Sequence, residues 1–439
     1  MNKIMKYEII KPVDCDWDLF GNILRKLKNQ TRNLLNKTIQ FMWEYDNFSA
    51  DYKKIHNVYP NSLDILGYKG SQAVQNYAKM KLKKEWDFLF NSSNVDATLA
   101  TALTRWKTDK VDILKGNKSI PSFNKNNTID LRNSSITVIK ENNSYYLNLS
   151  LISNKYKKEL GRSGQFLTLI KVKDKTQKAI LDRILNGEYK VSASKIIYLE
   201  KKKKWMINLG YGFEPKKQNL NKDNIMGIDM GIVYPIYIAF NNSLKRYKIE
   251  GGEIDRFRKQ TEKRKNQLYR QGKYCGDGRV GHGIKTRIKP IEFTQEKVAN
   301  FRNTTNHKYS KYIIDLAIKN NCGIIQMEDL SGISTNNKFL KNWSYYDLQQ
   351  KIEYKAKEKG IEIKKIKPQY TSQRCSKCGY IHKDNRPKGD KGQSYFKCLE
   401  CEFKTNADYN AAKNISIKDI DRIIESKCKE LDITYNKNN

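Results

Sequence analysis

Acidic residues are in short supply in this sequence. Asp and Glu number 47 against 84 Lys and Arg, a formal net charge of +37. Such an excess repels itself unless a polyanion neutralises it. Each phosphate contact adds sequence-independent affinity by releasing counterions, so nucleic acid is the expected partner. A lysine-favouring, AT-rich genome would raise lysine without removing acids to this degree. Long apolar runs are also missing: no stretch of about 18 residues could span a bilayer. The opening MNKIMKYEIIKPVDCDWD has no apolar stretch followed by a small-residue cleavage site, so a soluble, cytoplasmic protein with no membrane partner is expected. Cysteine is scarce as well. Eight in 439 residues exclude a disulfide scaffold. Cys15, Cys275, Cys322 and Cys428 are scattered and expected to be reduced thiols. No internal repeat is visible, and the length allows two or three domains.

What is present changes texture along the chain. After an extended start, Ile23, Leu24, Leu27, Leu34, Leu35, Ile39 and Met42 recur at helical spacing within residues 20–45. The opposite side carries Arg25, Lys28 and Arg32, which suit either a solvated face or a phosphate backbone. A second helix is expected from Asn94 to Lys115, stopped by Gly116. ITVIKENNSYYLNLSL (136–151) and SASKIIYLEKKKKWMINLGYGF (192–213) read as hairpins, with QFLTLIKVK (165–173) as a strand between them. Residues 121–213 therefore read as an all-β module, a small barrel, whose Lys201–Lys204 tip is a solvated turn or a phosphate contact. The polar stretch 214–224 reads as a linker. Beyond it strands and helices alternate. Between Arg256 and Pro290 lie twelve Lys/Arg against two acids, with Tyr269 and Tyr274 interleaved and glycines marking part of the segment as loop.

Three acids stand out. Asp229 lies within the apolar NIMGIDMGIVYPIYIAF, where a carboxylate is costly unless paired, protonated or bound to a cation. Glu328 ends the apolar strand CGIIQMEDL, and strand ends of α/β sheets gather functional side chains. Asp408 opens the final helix. Converging, the three would repel one another, and Mg²⁺, which prefers carboxylate oxygens, would relieve that repulsion. A pair of such ions suits phosphodiester hydrolysis. Each acid also has an ordinary reading: Asp229 as a turn acid, Asp329 in place of Glu328, Asp408 as a helix N-cap. CSKC (375–378) and CLEC (398–401) give C-x2-C-x19-C-x2-C, a structural Zn²⁺ signature in which four thiolates leave no open position. His382 is then a loop residue. Lys377, Lys383, Arg386, Lys388, Lys391 and Lys397 would give this ribbon a basic surface.

GIDMG, NHKYSKYI leading into IIQMEDL, YTSQRCSKCG and ADYNAAKNI, in that order, resemble the RuvC-like nuclease domain of the TnpB family and its type V CRISPR-effector relatives. KYEIIKPVDCDWDLFGNILRKLKNQTRNLLNK, GEYKVSAS and ANFRNTTNHKYS further resemble the miniature type V-F effectors, over essentially the whole chain. The resemblance implies a multidomain α+β fold. Its first part is an oligonucleotide-binding-type β-barrel, the wedge (1–18 and 118–222), with an inserted helical recognition module (19–117). An RNase H-like, RuvC-type nuclease domain (223–372 and 404–439) follows, with an inserted zinc ribbon (373–403). It implies a guide-RNA-directed, Mg²⁺-dependent double-stranded DNA endonuclease with a single site. Asp229, Glu328 and Asp408 would hold two Mg²⁺ (Mn²⁺ a substitute), Arg374 would sit beside them, and Cys375, Cys378, Cys398 and Cys401 would hold Zn²⁺. Guide RNA, target DNA with a T-rich flanking motif, and an asymmetric homodimer on one guide are the implied partners. A transposon-encoded TnpB nuclease and a non-catalytic RNA-guided DNA binder are the alternatives.

Overall fold

A computed structural model of the protein describes residues 1–231, 234–273, 286, 288–330, 344–386 and 394–431. Tyr274, Cys275, the glycine-rich stretch after them, Lys388 and Lys391 lie outside the described residues. The chain divides into two units, Met1–Glu214 and Pro215–Asn439.

In the first unit, β1 (Asn2–Pro12) precedes four helices, α1 (Trp17–His56), α2 (Ser62–Leu66), α3 (Ala73–Glu85) and α4 (Ser92–Leu114). Asp16 caps α1 by accepting from the Leu19 amide at 2.7 Å, which satisfies one of the unpaired first-turn donors. The expected apolar positions are its buried stripe. The helix runs past Tyr45 to His56, because Asn57 in the left-handed region supplies the stop. Leu35, Ile39 and Met42 pack on Ala102, Trp106 and Ile113 of α4.

Seven antiparallel strands follow the order β2-β6-β7-β1-β5-β4-β3. They are β1, β2 (Ile129–Leu131), β3 (Ile136–Glu141), β4 (Ser144–Ser150), β5 (Gln165–Lys171), β6 (Lys190–Leu199) and β7 (Lys204–Gly212). Asn142 and Asn143, both at positive φ, make the tight turn of the β3–β4 hairpin. The segment is not all-β. α5 (Asn154–Glu159) and α6 (Lys175–Leu185) interrupt it. Asp174 caps α6 at the Gln177 amide, and Ile180 and Leu181 are buried at its helical spacing, a short signal outweighed by the alternating runs around it.

The second unit holds a five-stranded sheet in the order β10-β9-β8-β11-β12. Its strands are β8 (Asn221–Asp229), β9 (Ile236–Phe240), β10 (Ser243–Ile249), β11 (Cys322–Glu328) and β12 (Glu362–Ile366). The β8–β9–β10 ladders are antiparallel, and β11 runs parallel to both β8 and β12. The apolar stretch around Asp229 is thus a hairpin whose first strand ends at the acid. Helices α7 (Gly252–Lys273) and α8 (Pro290–Lys319) precede β11, and α9 (Tyr345–Lys359) joins β11 to β12. Ile236, Ile238 and Phe240 face the core built with α8 and α9. Tyr237 and Ala239 alternate to the other face, where α10 (Ala407–Ile415) lies. A hairpin of β13 (Tyr395–Lys397) and β14 (Lys404–Asn406) leads into α10, and α11 (Ile420–Glu430) follows. The helix of Asp408 is therefore not the last. Ser416 and its neighbours turn the chain before Ile420 and Ile424 pack on Ile366 and Ile415.

Candidate active site

Strand alternation sets two of the three acids. The β8–β11 register pairs Gly227 with Gln326 and Ile228 with Met327, so Asp229 and Glu328 leave adjacent strands at the same level. Successive side chains alternate faces. Asp229 shares the face of Gly227, and Glu328 that of Gln326. Both belong to the side covered by α10, for a Cβ on Gly227 would stand 2.2 Å from the Ala412 carbonyl oxygen, and Gln326 donates to the Ile415 and Ile417 carbonyls at 2.6 and 2.9 Å. Glycine at 227 is what lets α10 lie directly on β8.

α10 brings the third acid. Asn406 caps it by accepting from the Tyr409 amide at 3.0 Å, so Asp408 is not the N-cap and its carboxylate is left for the site. Lys413 fixes the helix laterally, donating to the carbonyls of Phe240, Asn241 and Ser243.

Asp229 and Glu328 are half-buried, and Asp408 is buried. Desolvation first, then the charges of Glu328 and Asp408, push the Asp229 carboxyl well above its ordinary range. Desolvation pushes Glu328 up to about 7, although Thr371 donates to it at 2.7 Å. Asp408 is raised by the same cause. One cation opposes all three shifts: Arg386, whose Nη2 lies 3.9 Å from Asp408 Oδ1. Asp329 is turned elsewhere, its amide bonding the Ile366 carbonyl and its charge acting on Lys365.

Arg374 does not take the place expected for it. Its Nη1 donates to Asn414 Oδ1 at 2.7 Å and to the Cys375 carbonyl at 3.4 Å. It stacks its charge against the cysteine knuckle, whereas Arg386, read from sequence only as ribbon surface, faces the acids. No local pattern distinguishes Arg386 from the lysines around it. Thr371 is likewise silent in sequence.

The four cysteines do meet. Their Sγ atoms all lie within 4.8 Å of one another, with Cys375–Cys401 at 3.7 Å and Cys378–Cys398 at 3.5 Å. A tetrahedral ion with metal–sulfur bonds of about 2.3 Å would space them about 3.8 Å apart, so the set fits one. Asn410 and Asn414 stitch this knuckle to α10. Asn410 accepts from the Ser376 amide and donates to the Arg374 carbonyl, and Asn414 donates to the Thr371 and Arg374 carbonyls. His382 caps a short turn and is not part of the set. Cys15, Cys322 and Cys428 form no disulfide.

Comparison with known proteins now separates the possible families. The chain is 50% identical over 431 residues to the CRISPR-associated endodeoxyribonuclease Cas12f1 of Sulfoacidibacillus thermotolerans, covering 98% of this chain and 100% of that protein. The chain belongs to the Cas12f1 family. It is also 41% identical over 369 residues to the Cas12f1 of Syntrophomonas palmitatica, covering 75% and 73% of the two chains. The Cas12f1-like TNB domain matches residues 345–415, a span that takes in α9, β12, the cysteines and α10 with Asp408. Among solved structures, one of a Cas12f1–sgRNA–target DNA complex superposes with a TM-score of 0.72 at 21% identity, covering 95% and 99%. The multidomain α+β fold is thus that of Cas12f1 proteins. No helix among the described residues is long and apolar enough to cross a membrane.

Proposed function

We propose that this Cas12f1-family chain is a CRISPR RNA-guided endonuclease that cuts double-stranded DNA at one site built from Asp229, Glu328 and Asp408. The observation that carries the reading is the meeting of three mutually repelling carboxylates on one sheet face, in a chain half identical to an endodeoxyribonuclease. Half-open carboxylates held above their ordinary pKa range suit a hard divalent cation, so the three acids would hold Mg²⁺, with Mn²⁺ as substitute. When bound, a pair of such ions supplies a water of lowered pKa and neutralises charge on the leaving oxygen. Thr371 orients Glu328, Asn406 frees Asp408 by capping the helix in its stead, and Arg386 grips the scissile phosphate. The cysteine set would hold Zn²⁺ as a structural ion, fixing the loop that carries Arg386.

The sheet order, three antiparallel strands followed by two parallel ones, supports an RNase H-like, RuvC-type nuclease domain in the second unit. In the first, the 3-10 turn Asn133–Ser135 joins β2 directly to β3 and touches both β4 and β6. That closeness of the two sheet ends supports a curled, oligonucleotide-binding-type wedge carrying α1–α4 as its recognition module. Guide RNA held there, target DNA with a T-rich flank, an asymmetric homodimer and a cytoplasmic setting complete the reading. Similarity along nearly the whole length of a CRISPR nuclease favours it over a TnpB protein, and the intact acids favour it over a non-catalytic binder.

The test is sequencing of copurifying RNA followed by guided cleavage with Mg²⁺ titration. Repeat-derived RNA and loss of cleavage in Asp229→Ala and Asp408→Ala are expected. Transposon-end RNA, or full cleavage by either variant, would sink the CRISPR assignment or the site respectively.

A further inference from the structure

The pair α7–α8 lies outside the site described, yet it contains a long, strongly cationic stretch of the sequence. α7 carries eight Lys/Arg against three acids. Its buried residues are confined to Ile254 near one end and Leu268 and Gly272 near the other, so over its middle turns the helix is not sealed against α8. What lies there is a cavity of about 400 Å³. Phe257 and Phe301 form its floor, their rings stacked at 3.9 Å and 8° between planes. Tyr269 stands at its wall, 58% exposed. Arg258, Lys265 and Arg302 line it, opposed by the single acid Glu262, and Thr261 and Asn266 add groups that can donate and accept.

Each part of that lining selects a ligand property. Three cations against one acid call for an anion. A free oxyanion would need neither an aromatic floor nor the volume, and an apolar ligand would leave the cations facing a poor partner. An exposed tyrosine beside arginines is the means by which proteins hold unpaired bases without reading their sequence: the ring stacks, the cations take the phosphates. The volume falls within the range of small-ligand sites.

We propose that the α7–α8 cavity seats one unpaired nucleotide of single-stranded nucleic acid. Its base stacks on Tyr269 and its flanking phosphates lie against Arg258, Lys265 and Arg302. The proposal rests on the guided-nuclease reading above. It adds a hold on an unpaired stretch away from the cutting site, supplied either by guide RNA or by the DNA strand that guide pairing displaces.

The test uses the full chain with p-azidophenylalanine replacing Tyr269, irradiated with guide RNA alone and then with target DNA added. A crosslink to RNA in the binary complex supports the proposal and names the guide as the source. A crosslink to DNA that arises only with target supports it and names the displaced strand. In parallel, Tyr269→Ala with Lys265→Ala and Arg302→Ala should weaken affinity for that strand about tenfold or more. The slope of log affinity against log salt should flatten by about 0.7 for each phosphate that is no longer neutralised. Unchanged affinity and slope with no crosslink, in a protein that still binds guide and cleaves, would overturn the proposal alone. A wild-type chain that binds no guide would instead overturn the reading beneath it. Loss of self-association with nucleic-acid affinity intact would also overturn it, by assigning the cavity to a second protein chain.

Discussion

Desolvation pushes the Glu328 carboxyl up to about 7, because burial costs the carboxylate more than the Thr371 hydrogen bond and the Arg386 charge return. Between its ordinary value of 4.5 and about 7, the native state keeps protons that the unfolded chain has released. Stability of the metal-free protein therefore falls as pH rises through that window. Thermal unfolding without divalent cations should show a lower Tm at pH 8 than at pH 6, with Mg²⁺ restoring more at pH 8. Apparent Mg²⁺ affinity should rise with pH by up to about tenfold per unit per proton displaced. A pH-independent affinity would place the cation elsewhere. The two arginines should also separate. Arg386→Ala is expected to lower the cleavage rate about 10²- to 10³-fold with target binding retained, the usual effect of losing a positioned charge stabiliser. Arg374→Ala should mainly cost stability, about 1.5–3 kcal/mol for its charge-assisted Asn414 hydrogen bond. Single-turnover cleavage alongside thermal unfolding distinguishes them. Asp229 and Glu328 drew notice in the sequence because a carboxylate in an apolar strand contradicts its surroundings. Arg386 did not, since only the backward fold of the ribbon aims it.

At the scale of elements, close approach rather than propensity builds the site. Gly227 leaves no room for a methyl group beneath α10, so Gly227→Ala must lift the helix or bend β8. Overpacking of this kind costs about 1–3 kcal/mol, and here the displaced helix carries Asp408. Cleavage should drop well beyond the stability loss, while guide RNA binding, which belongs to other elements in the proposed reading, should persist. Equal loss of both would mean general misfolding. The cysteine spacing and the strand–helix alternation of the second unit could be read directly, each being a pattern local to a few residues. The lengths of α1 and α8 could not. Their polar extensions carry little apolar periodicity, and in α1 the stop comes from an asparagine in the left-handed region rather than from glycine. The fastening of ribbon to helix by Asn410 and Asn414 was equally silent, because it relies on amides reaching backbone groups more than thirty residues away.

For the molecule as a whole, the charge excess announced a polyanion long before any site was visible, but it could not say which basic residues serve which strand. The two sheet orders are equally absent from composition. They also have a practical side. Tyr7, Phe20 and Phe166 belong to the first unit's main core, Ile228, Ile313 and Ile325 to that of the second, and one covalent link, Glu214–Pro215, joins the units. The gene could therefore be opened there into two reading frames. Residues 1–214 and 215–439, made as separate polypeptides, are each expected to show a cooperative melt, and guide RNA is expected to bring them together into a cleaving complex. Aggregation of either half alone would show that its fold depends on the other. If both fold, the nuclease becomes a two-component device whose activity is set by the scarcer half, and each half fits in a smaller vector than the whole.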